Sequence, residues 1–254
     1  MTDNQVWKFL TRFGNPGDVA IIMRETGPGG IGLIGALSIA WKLWRKVPVA
    51  KIINKKWFYG MAFQTNRRTL DPRPDSETLV DAVLKNERPS RDGKAVRILD
   101  LGVGTGCLLC AIVKNFPNAV GVGIDKSRRA CSVARANVKS SGLSDRIEIR
   151  RGTFADCDAS GFDLIVSNPP YVAAFDFIDA GAKYDPKIAL YGGKDGLKFF
   201  REIALIKTCA KLYVEIGAGQ DSAVKEIFMS EGWKFISDYK DLSGHVRVLY
   251  FCLN

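Results

Sequence analysis

Apolar segments with the length of β-strands alternate with helix-like segments from residue 95 to the end of the chain. The strand-like segments are 96–100, 119–125, 146–150, 162–167, 211–217, 233–238 and 246–252, and the helix-like segments are 107–115, 127–140, 196–210 and 221–231. Such alternation is typical of an α/β fold with a doubly wound, mostly parallel sheet and helices on both faces. Only the residues KDLSGH separate the last two strands, so we expect that pair to be antiparallel.

The first 75 residues follow a different pattern. The stretch TGPGGIGLIG, residues 26–35, is too rich in glycine for one long helix. In residues 48–75 aromatic and polar residues alternate around a turn, which predicts a short hairpin that leads into a helix over 76–85 with Ser76 or Asp75 as its N-cap. We therefore expect a small helical N-terminal unit (1–56), a linking β-hairpin (57–75) and a sheet domain (76–254).

Positive charge is concentrated towards the start of the chain. The whole chain has 37 Lys and Arg against 27 Asp and Glu, a formal charge of +10. Residues 1–70 contain 11 basic and 3 acidic residues, so +8 of the excess lies there and +2 in the remainder. A basic surface of this kind favours an acidic partner such as RNA, DNA, a ribosome-associated protein or an anionic membrane, or it is merely solvated.

The cysteines and the apolar runs favour a reduced, cytoplasmic compartment. The six cysteines are scattered, mostly in apolar segments, at Cys107, Cys110, Cys131, Cys157, Cys209 and Cys252. No second CxxC and no clustered histidines accompany the pair at 107 and 110, so we assign both cysteines to the core and expect no metal. The uncharged run 26–41 is shorter than the roughly 20 apolar residues of a spanning helix, and residues 1–11 lack a signal-peptide core. We therefore expect no stable membrane association.

A glycine-rich turn joins the first strand of the sheet domain to its first helix. The turn reads DLGVGTG from Asp100 to Gly106, and Asp125 ends the next strand. Glycines let a backbone approach a ligand closely, and a carboxylate at the end of the second strand can accept both hydrogen bonds of a ribose diol. A dinucleotide requires GxGxxG facing a pyrophosphate, whereas this loop reads GxGxG after Asp100, which suits the ammonium of S-adenosylmethionine. We therefore expect S-adenosylmethionine rather than NAD.

The chain leaves the strand 162–167 through the sequence SNPPY. Each proline lacks an N–H and holds the preceding residue extended, so the result is a rigid corner rich in free acceptors. The Asn168 side-chain oxygen and the Pro169 carbonyl can accept both hydrogens of a planar NH2 group and aim its nitrogen at a methyl donor, while Tyr171 offers a face for stacking. Because ligands bind where this strand neighbours the glycine-loop strand, we predict that Asn168, Pro169 and Tyr171 are catalytic.

These motifs resemble those of the bacterial peptide-chain-release-factor glutamine methyltransferases. The likeness covers residues 48–254 almost continuously, and it rests on the co-occurrence of PRPDSE, DLGVGTG and NPPY. The resemblance implies a class I, Rossmann-like, S-adenosylmethionine-dependent methyltransferase. Its substrate would be the side-chain nitrogen of the glutamine in the Gly-Gly-Gln loop of peptide chain release factors, and its product S-adenosylhomocysteine. We expect a monomer whose N-terminal unit recognises the substrate and whose basic residues contact ribosome or RNA transiently.

By position, the resemblance implies a cofactor site and a substrate site. The cofactor site consists of Gly102, Val103, Gly104, Thr105, Gly106, Asp125, Phe154 and Asn168, and the substrate site of Asn168, Pro169, Pro170 and Tyr171. Phe154 stands where the family often has a tryptophan beside the adenine. The chain departs from the family pattern at Thr153, where an acidic residue is common, at Asp71, where isoleucine is usual, and in residues 1–47, which match the longer five-helix domain poorly.

Two other functions fit the same residues. An adenine N6-methyltransferase of DNA or RNA would place an exocyclic amine at the same corner, and the basic N-terminal residues would suit a nucleic acid. A catalytically inactive module would keep only the cofactor-binding fold. Among single residues, we assign His245 to a structural turn and Glu77 to the first turn of its helix, while Arg73 fits a substrate contact and a hairpin anchor equally.

Overall fold

The computed structural model describes residues 1–87, 94–155, 157–176, 181–207 and 211–253. Its helices are α1 (Asp3–Leu10), α2 (Pro16–Thr26), α3 (Leu33–Trp44), α4 (Val49–Ile53), α5 (Glu77–Asn86), α6 (Cys107–Asn115), α7 (Arg128–Ser140), α8 (Lys198–Ala204) and α9 (Asp221–Ser230). Its strands are β1 (Lys55–Phe58), β2 (Met61–Gln64), β3 (Val96–Leu101), β4 (Ala119–Asp125), β5 (Ile147–Arg151), β6 (Leu164–Ser167), β7 (Lys211–Glu215), β8 (Lys234–Lys240) and β9 (Val246–Cys252). Short 3-10 turns cover Pro74–Ser76, Ala182–Tyr184 and Lys187–Ala189.

Seven strands form one sheet in the order β5-β4-β3-β6-β7-β9-β8. The first five in this order pair in parallel, whereas β9 is antiparallel to both β7 and β8. The expected doubly wound, mostly parallel sheet is therefore confirmed, and so is the antiparallel closing pair. The strand order reverses between β3 and β6, and the carboxyl ends of these strands form the crevice in which such sheets bind ligands.

Helices cover both faces of the sheet because each carries an apolar face with helical spacing. On one face, α5, α6 and α7 bury residues that include Leu79, Ile112 and Val138. On the other face, α8 and α9 bury residues that include Phe200 and Phe228. The sheet is thus packed from both sides, and the loops at its carboxyl edge start from fixed positions.

Helices α1 to α4 enclose a separate apolar core that includes Val6, Leu10, Ile22 and Leu43. Gly27, with a φ of +74°, ends α2 before α3 begins. The glycine-rich stretch therefore interrupts the helix, as expected, because glycine adopts this conformation without a steric penalty. No helix in the described ranges has the length and apolar composition needed to cross a membrane.

An antiparallel hairpin of β1 and β2 follows the four helices. It begins earlier and is shorter than the expected 57–75, and no regular strand lies between it and Pro74. The Asn137 side chain ties the hairpin to α7, since its Oδ1 accepts from the Gln64 N–H at 2.7 Å and its Nδ2 donates to the Gln64 carbonyl at 3.0 Å. The division of the chain into three functional parts stays a prediction.

One local expectation is confirmed in position only, and another is wrong. Ser76 is the N-cap residue of α5, but its side chain makes no capping hydrogen bond to the helix, because the Ser76 hydroxyl has another partner. The helix expected over 196–210 ends at Ala204. The end of that expected helix, 208–210, and with it Cys209, lies outside the described residues.

Candidate active site

A cavity of about 440 Å³ opens at the carboxyl ends of β3, β4 and β6. Of the residues that the sequence predicts as sites, its wall contains Gly102, Val103, Gly104, Thr105, Asp125, Phe154, Asn168 and Pro170. The predicted residues Gly106, Pro169 and Tyr171 lie outside that wall. The fold therefore brings the glycine loop, the carboxylate of β4 and the asparagine corner into one pocket.

The glycine loop between β3 and α6 adopts conformations that residues with a Cβ avoid. Gly102, Gly104 and Gly106 have φ angles of +82°, +54° and +81°. A Cβ on Gly102 would lie 3.5 Å from the Phe154 ring, in the space between loop and ring. The Gly102 N–H donates to the Ile124 carbonyl at 2.9 Å, which holds the loop against the end of β4. The loop backbone can thus approach a ligand more closely than a side chain would permit.

Asp125 ends β4 beside this loop. Its carboxylate accepts hydrogen bonds from the N–H groups of Gly104 at 3.1 Å and Ser127 at 2.8 Å. Burial raises the pKa of Asp125, while these two N–H groups and the charge of Lys126 oppose the rise. The side chain is held in one orientation with lone pairs left over, which is the arrangement that a ribose diol requires.

Asp100, two residues before Gly102, is a buried carboxylate without a partner. It is 1% exposed, and neither side-chain oxygen has a hydrogen-bond partner in the described part of the chain. Burial, followed by the charge of Asp125, raises the pKa of Asp100 to about 7, and the Leu109 amide opposes part of the rise without meeting hydrogen-bond geometry. A buried carboxylate without a partner lowers the stability of the folded protein until a cation or a hydrogen-bond donor approaches it. The site therefore fits a ligand with an ammonium group.

Asn168 stands at the exit of β6, next to the glycine loop. The register pairs Ser167 with Leu101, and the Ser167 hydroxyl donates to the Leu101 carbonyl at 2.7 Å, which fixes this exit against β3. The Asn168 NH2 group donates to the Ser76 hydroxyl at 3.0 Å. The amide therefore keeps its oxygen, rather than its nitrogen, for a ligand in the cavity.

Tyr171 lies behind the corner. Its ring packs against the apolar core under α8 and α9, and a Cβ on Gly217 would lie 3.1 Å from that ring. The Tyr171 carbonyl accepts from the Gln220 side chain at 2.9 Å. Burial, then the charge of Glu215, raises the pKa of the Tyr171 phenol to about 12, so it stays neutral near pH 7. These contacts support the corner from behind, and the stacking role of Tyr171 stays a prediction.

The cavity wall also contains residues that the sequence did not reveal. Phe199 meets Phe154 edge-on with ring centroids 5.6 Å apart, so the two rings form one apolar wall. Phe199 lies in an amphipathic helix, where the apolar pattern does not distinguish a ligand contact from a core contact. Cys107 begins α6 directly after the loop and packs against the core, as expected, but it also lines the cavity. Thr153, where the family often has an acidic residue, lines it as well.

Three further residues from the sequence analysis have defined surroundings. Arg73 lines the cavity and forms an ion pair with Asp185 at 2.8 Å. The Glu77 carboxylate, in the first turn of α5, accepts from the Tyr59 N–H at 2.7 Å and so holds the hairpin to that helix. His245 lies in the turn between β8 and β9, as expected.

Proteins with similar sequences are methyltransferases. A family model described as "Methyltransferase small domain" matches residues 72–181. The release factor glutamine methyltransferase of Caulobacter vibrioides is 38% identical over 214 residues, with 81% of this chain and 73% of that protein covered. The one of Agrobacterium fabrum is 39% identical over 214 residues, with 80% of this chain and 74% of that protein covered. This chain belongs to the release factor glutamine methyltransferase family.

One further relative and two solved structures also agree with a methyltransferase fold. The bifunctional methyltransferase of Rickettsia felis is 35% identical, with 80% of this chain but 45% of that protein covered. Among solved structures, the hMettl16 catalytic domain in complex with a 3′UTR hairpin has a TM-score of 0.59 at 14% identity, with 77% of each chain covered. A methyltransferase from Pyrococcus furiosus has a TM-score of 0.55 at 18% identity, with 77% of this chain and 90% of that chain covered. These two solved structures share the fold of this chain.

The release factor glutamine methyltransferase family uses S-adenosylmethionine, and the cavity of this member suits it. Asp100 lacks a counter-charge, Asp125 has acceptor capacity left, and the rings of Phe154 and Phe199 offer an apolar wall. These features match the ammonium, the ribose diol and the adenine of that cofactor. In the part of the chain that the structure describes, no group of three or more His, Cys, Asp and Glu side chains could hold a metal ion.

Proposed function

We propose that this chain transfers the methyl group of S-adenosylmethionine to the side-chain nitrogen of the glutamine in the Gly-Gly-Gln loop of peptide chain release factors. The observation that carries the proposal is the fixed amide of Asn168, whose NH2 group is engaged with Ser76 so that its oxygen is left for the substrate. An acceptor at this place suits a substrate that brings an NH2 group to a methyl donor. The names of the relatives at 38% and 39% identity support glutamine as that substrate.

The corner works by orienting a weak nucleophile. An amide nitrogen reacts slowly because its lone pair is delocalised into the carbonyl group. The Asn168 oxygen, on the cavity wall, accepts one hydrogen of the substrate NH2 group. The Pro169 carbonyl, which lies outside that wall, is assigned to the other hydrogen from the sequence pattern alone, and together the two acceptors would place the nitrogen in line with the methyl group. The same two oxygens would stabilise the positive charge that the nitrogen gains as the new N–C bond forms and the bond between the methyl carbon and sulfur breaks. The leaving group would be S-adenosylhomocysteine, and one hydrogen would then leave the nitrogen as a proton to solvent.

The cofactor supplies a methyl group that is activated by attachment to a positively charged sulfur. Asp125 accepts from the ribose hydroxyl groups, and Asp100 compensates the ammonium group. Phe154 and Phe199 form the apolar wall for the adenine ring. The Gly102 backbone leaves room for the ligand because it has no side chain to fill the space.

The competing proposal is an adenine N6-methyltransferase of DNA or RNA. The charge of +8 in residues 1–70 suits phosphate groups, and the exocyclic amine of adenine would satisfy Asn168 equally. Contacts to phosphates alone give affinity without placing one amine at Asn168. The identity to named release factor glutamine methyltransferases therefore favours the protein substrate. A catalytically inactive module, the third possibility, would bind cofactor but label no substrate.

The decisive experiment uses S-adenosylmethionine with a radiolabelled methyl group. The enzyme is incubated with a folded release factor, with the Gln→Ala variant of its Gly-Gly-Gln loop, and separately with DNA and RNA. Label is expected only in the unmutated release factor, resistant to nuclease, and absent when the enzyme carries Asn168→Ala. Label in adenine would establish the competing function, and cofactor binding without label on any substrate would indicate an inactive module.

Three expectations about the cellular setting stay predictions under this proposal. A transient contact of the basic N-terminal residues with ribosome or RNA would bring the enzyme to its substrate. A monomeric state also stays a prediction. A cytoplasmic location follows from a substrate that takes part in translation termination.

A further inference from the structure

A second buried carboxylate lies behind the asparagine corner. Glu215 ends β7, and the register pairs the preceding Val214 with Ser167, so Glu215 lies next to the exit of β6. It is 1% exposed, and its Oε2 atom has no hydrogen-bond partner in the described residues. The function proposed above does not use this group, although it lies beside the reacting corner.

Ser76 lies between this carboxylate and Asn168. The serine is 2% exposed, and its hydroxyl oxygen accepts from the Asn168 NH2 group at 3.0 Å rather than capping α5. A serine hydroxyl that accepts one hydrogen bond still has its own hydrogen to donate. Ser76 and Asn168 both lie close enough to Glu215 to lower its pKa, so the carboxylate is the acceptor at hand for that hydrogen.

We propose that Ser76 and Glu215 are positioning residues that hold the Asn168 amide in the one orientation that accepts from the substrate NH2 group. The proposal rests on the function proposed above. The two ends of an asparagine amide have nearly the same shape, and rotation by half a turn would present its NH2 group instead. The rotated amide would present an N–H donor to the N–H donors of the substrate. Two donors do not form a hydrogen bond with each other, so the rotated amide would reject the substrate.

Charged and titratable groups face Glu215 from several elements. They are Asp75 from the 3-10 turn, Cys107 from α6, Tyr171 from the corner and Arg247 from β9. Burial raises the pKa of Glu215 to about 7, whereas Ser76 and Arg247 lower it and Asp75 raises it further. Arg247 is shared, since it also pairs with Asp241 at 2.9 Å and with Asp75 at 3.4 Å. The negative charge that Glu215 offers to the Ser76 hydroxyl is therefore gained as the pH rises through about 7.

Substitution of Ser76 tests the first contact. We compare the parent enzyme with Ser76→Ala, with Ser76→Thr, and with Ser140→Ala as a matched change at an exposed serine on α7. Ser76→Ala is expected to lower kcat on a release factor roughly 100-fold without changing the Kd of S-adenosylmethionine, because only the orientation of the amide is lost. Ser76→Thr keeps the hydroxyl and should regain most of the activity. An unchanged kcat in Ser76→Ala would overturn the proposal.

A double-mutant cycle separates positioning from a general structural effect. If Ser76 acts through Asn168, then Ser76→Ala causes no further loss of kcat once Asn168→Ala is present. Equal fold-losses in both backgrounds would show that Ser76 acts independently and would refute its positioning role. Full activity of Asn168→Ala alone would instead remove the proposed function of the corner, so the two failures are distinguishable.

The pH dependence tests Glu215. At saturating cofactor, the kcat of the parent should rise as the pH passes through about 7, and Glu215→Gln, which keeps the size of the side chain, should abolish that step. The same release factor serves both enzymes, so its own titration cancels in the ratio of the two kcat values. A step that persists unchanged in Glu215→Gln would exclude Glu215 from the positioning of Asn168.

Discussion

The ammonium group of Lys51 lies 2.8 Å from a carboxylate oxygen of Asp71 and 2.8 Å from one of Asp185. The Lys51 side chain is 1% exposed, and its Nζ also donates to the carbonyls of Asn66 and Thr69 at 2.7 Å each. A buried cation is tolerated only when it is paired and hydrogen-bonded, and Lys51 is both. Because Asp71 stands where the family usually has isoleucine, Lys51 explains how the chain accommodates that departure.

The same network joins the N-terminal unit to the cavity. Lys51 belongs to α4, whereas Asp71 and Arg73 line the cavity. Asp185, in the segment after the asparagine corner, connects the two parts by pairing with both Lys51 and Arg73 at 2.8 Å. The buried charges therefore fix the segment before α5 relative to the segment after the corner.

We expect Lys51→Met to lower the free energy of unfolding by about 3–5 kcal/mol. The change leaves the buried Asp71 carboxylate without its cationic partner, and Asp185 keeps only Arg73 of its two cationic partners. Chemical denaturation measures this change. The matched control is Lys207→Met, which removes an exposed lysine paired with Glu231 at 3.1 Å and should alter stability by less than about 0.5 kcal/mol.

The combination of Lys51→Met with Asp71→Ile tests whether the buried charge itself is the cause. An apolar pair can replace a buried ion pair at little cost, so the double variant should be clearly more stable than Lys51→Met alone. A double variant no more stable than the single one would attribute the loss to the packing of the lysine side chain.

The parts of the site that the sequence predicted share one physical property. The glycine loop, Asp125 and Asn168 each follow directly from the end of a strand, and the carboxyl ends of parallel strands meet at one edge of the sheet. The alternation of strands and helices was enough to place them, and the strand bounds differ from the expected ones by only a few residues. The end of a strand can be recognised from the residues that adjoin it in the sequence, so the positions of these site residues could be predicted.

The parts that the sequence missed depend on contacts between distant segments. The hydrogen bond between Asn168 and Ser76 joins residues 92 apart in the sequence, and Ser76 was expected to cap a helix. Phe199 faces the cavity only because of how α8 is rotated against the sheet, which no apolar pattern reveals. Whether a buried acid such as Asp100 has a partner is likewise decided by three-dimensional packing.

We expect Asp125→Ala to weaken binding of S-adenosylmethionine by about 1.5–3 kcal/mol, because the charge-assisted hydrogen bonds to the ribose diol are lost. Calorimetry on the folded variant measures this. Asp125 also holds the loop through Gly104, so Asp125→Asn, which keeps the size of the side chain, serves as the second variant. Unchanged affinity in both folded variants would remove Asp125 from the cofactor site.

Asn168→Ala is expected to lower kcat on a release factor by roughly 100-fold or more while the Kd of S-adenosylmethionine stays nearly the same. The reason is that the amide oxygen orients the substrate nitrogen, and methyl transfer is geometrically strict. Single-turnover kinetics and calorimetry give the two quantities. Asn115→Ala, a matched change at an exposed asparagine on α6, should affect neither. Near-normal turnover of Asn168→Ala would contradict the orientation mechanism.

The unpartnered carboxylate of Asp100 predicts a pH dependence of the ligand-free protein. Its pKa of about 7 in the folded state lies above the usual 3.8 of the unfolded chain. Between these values the folded state holds a proton that the unfolded state has lost, so this group makes stability fall as the pH rises from about 4 to about 7. Asp100→Asn cannot titrate, and its stability relative to the parent should therefore increase over that window in chemical denaturation.

Cofactor binding should show the opposite trend. The ammonium of S-adenosylmethionine stabilises the ionised form of Asp100, so binding near pH 6 requires the loss of a proton and becomes tighter as the pH rises towards about 7. The window stays below about 7.7, the pH at which an α-amino group is half deprotonated. Calorimetry in two buffers of different ionisation enthalpy should detect proton release by the parent and none by Asp100→Asn, whose affinity should be weaker and flat with pH. Equal proton release by both would assign the titration to another group and leave Asp100 outside the cofactor site.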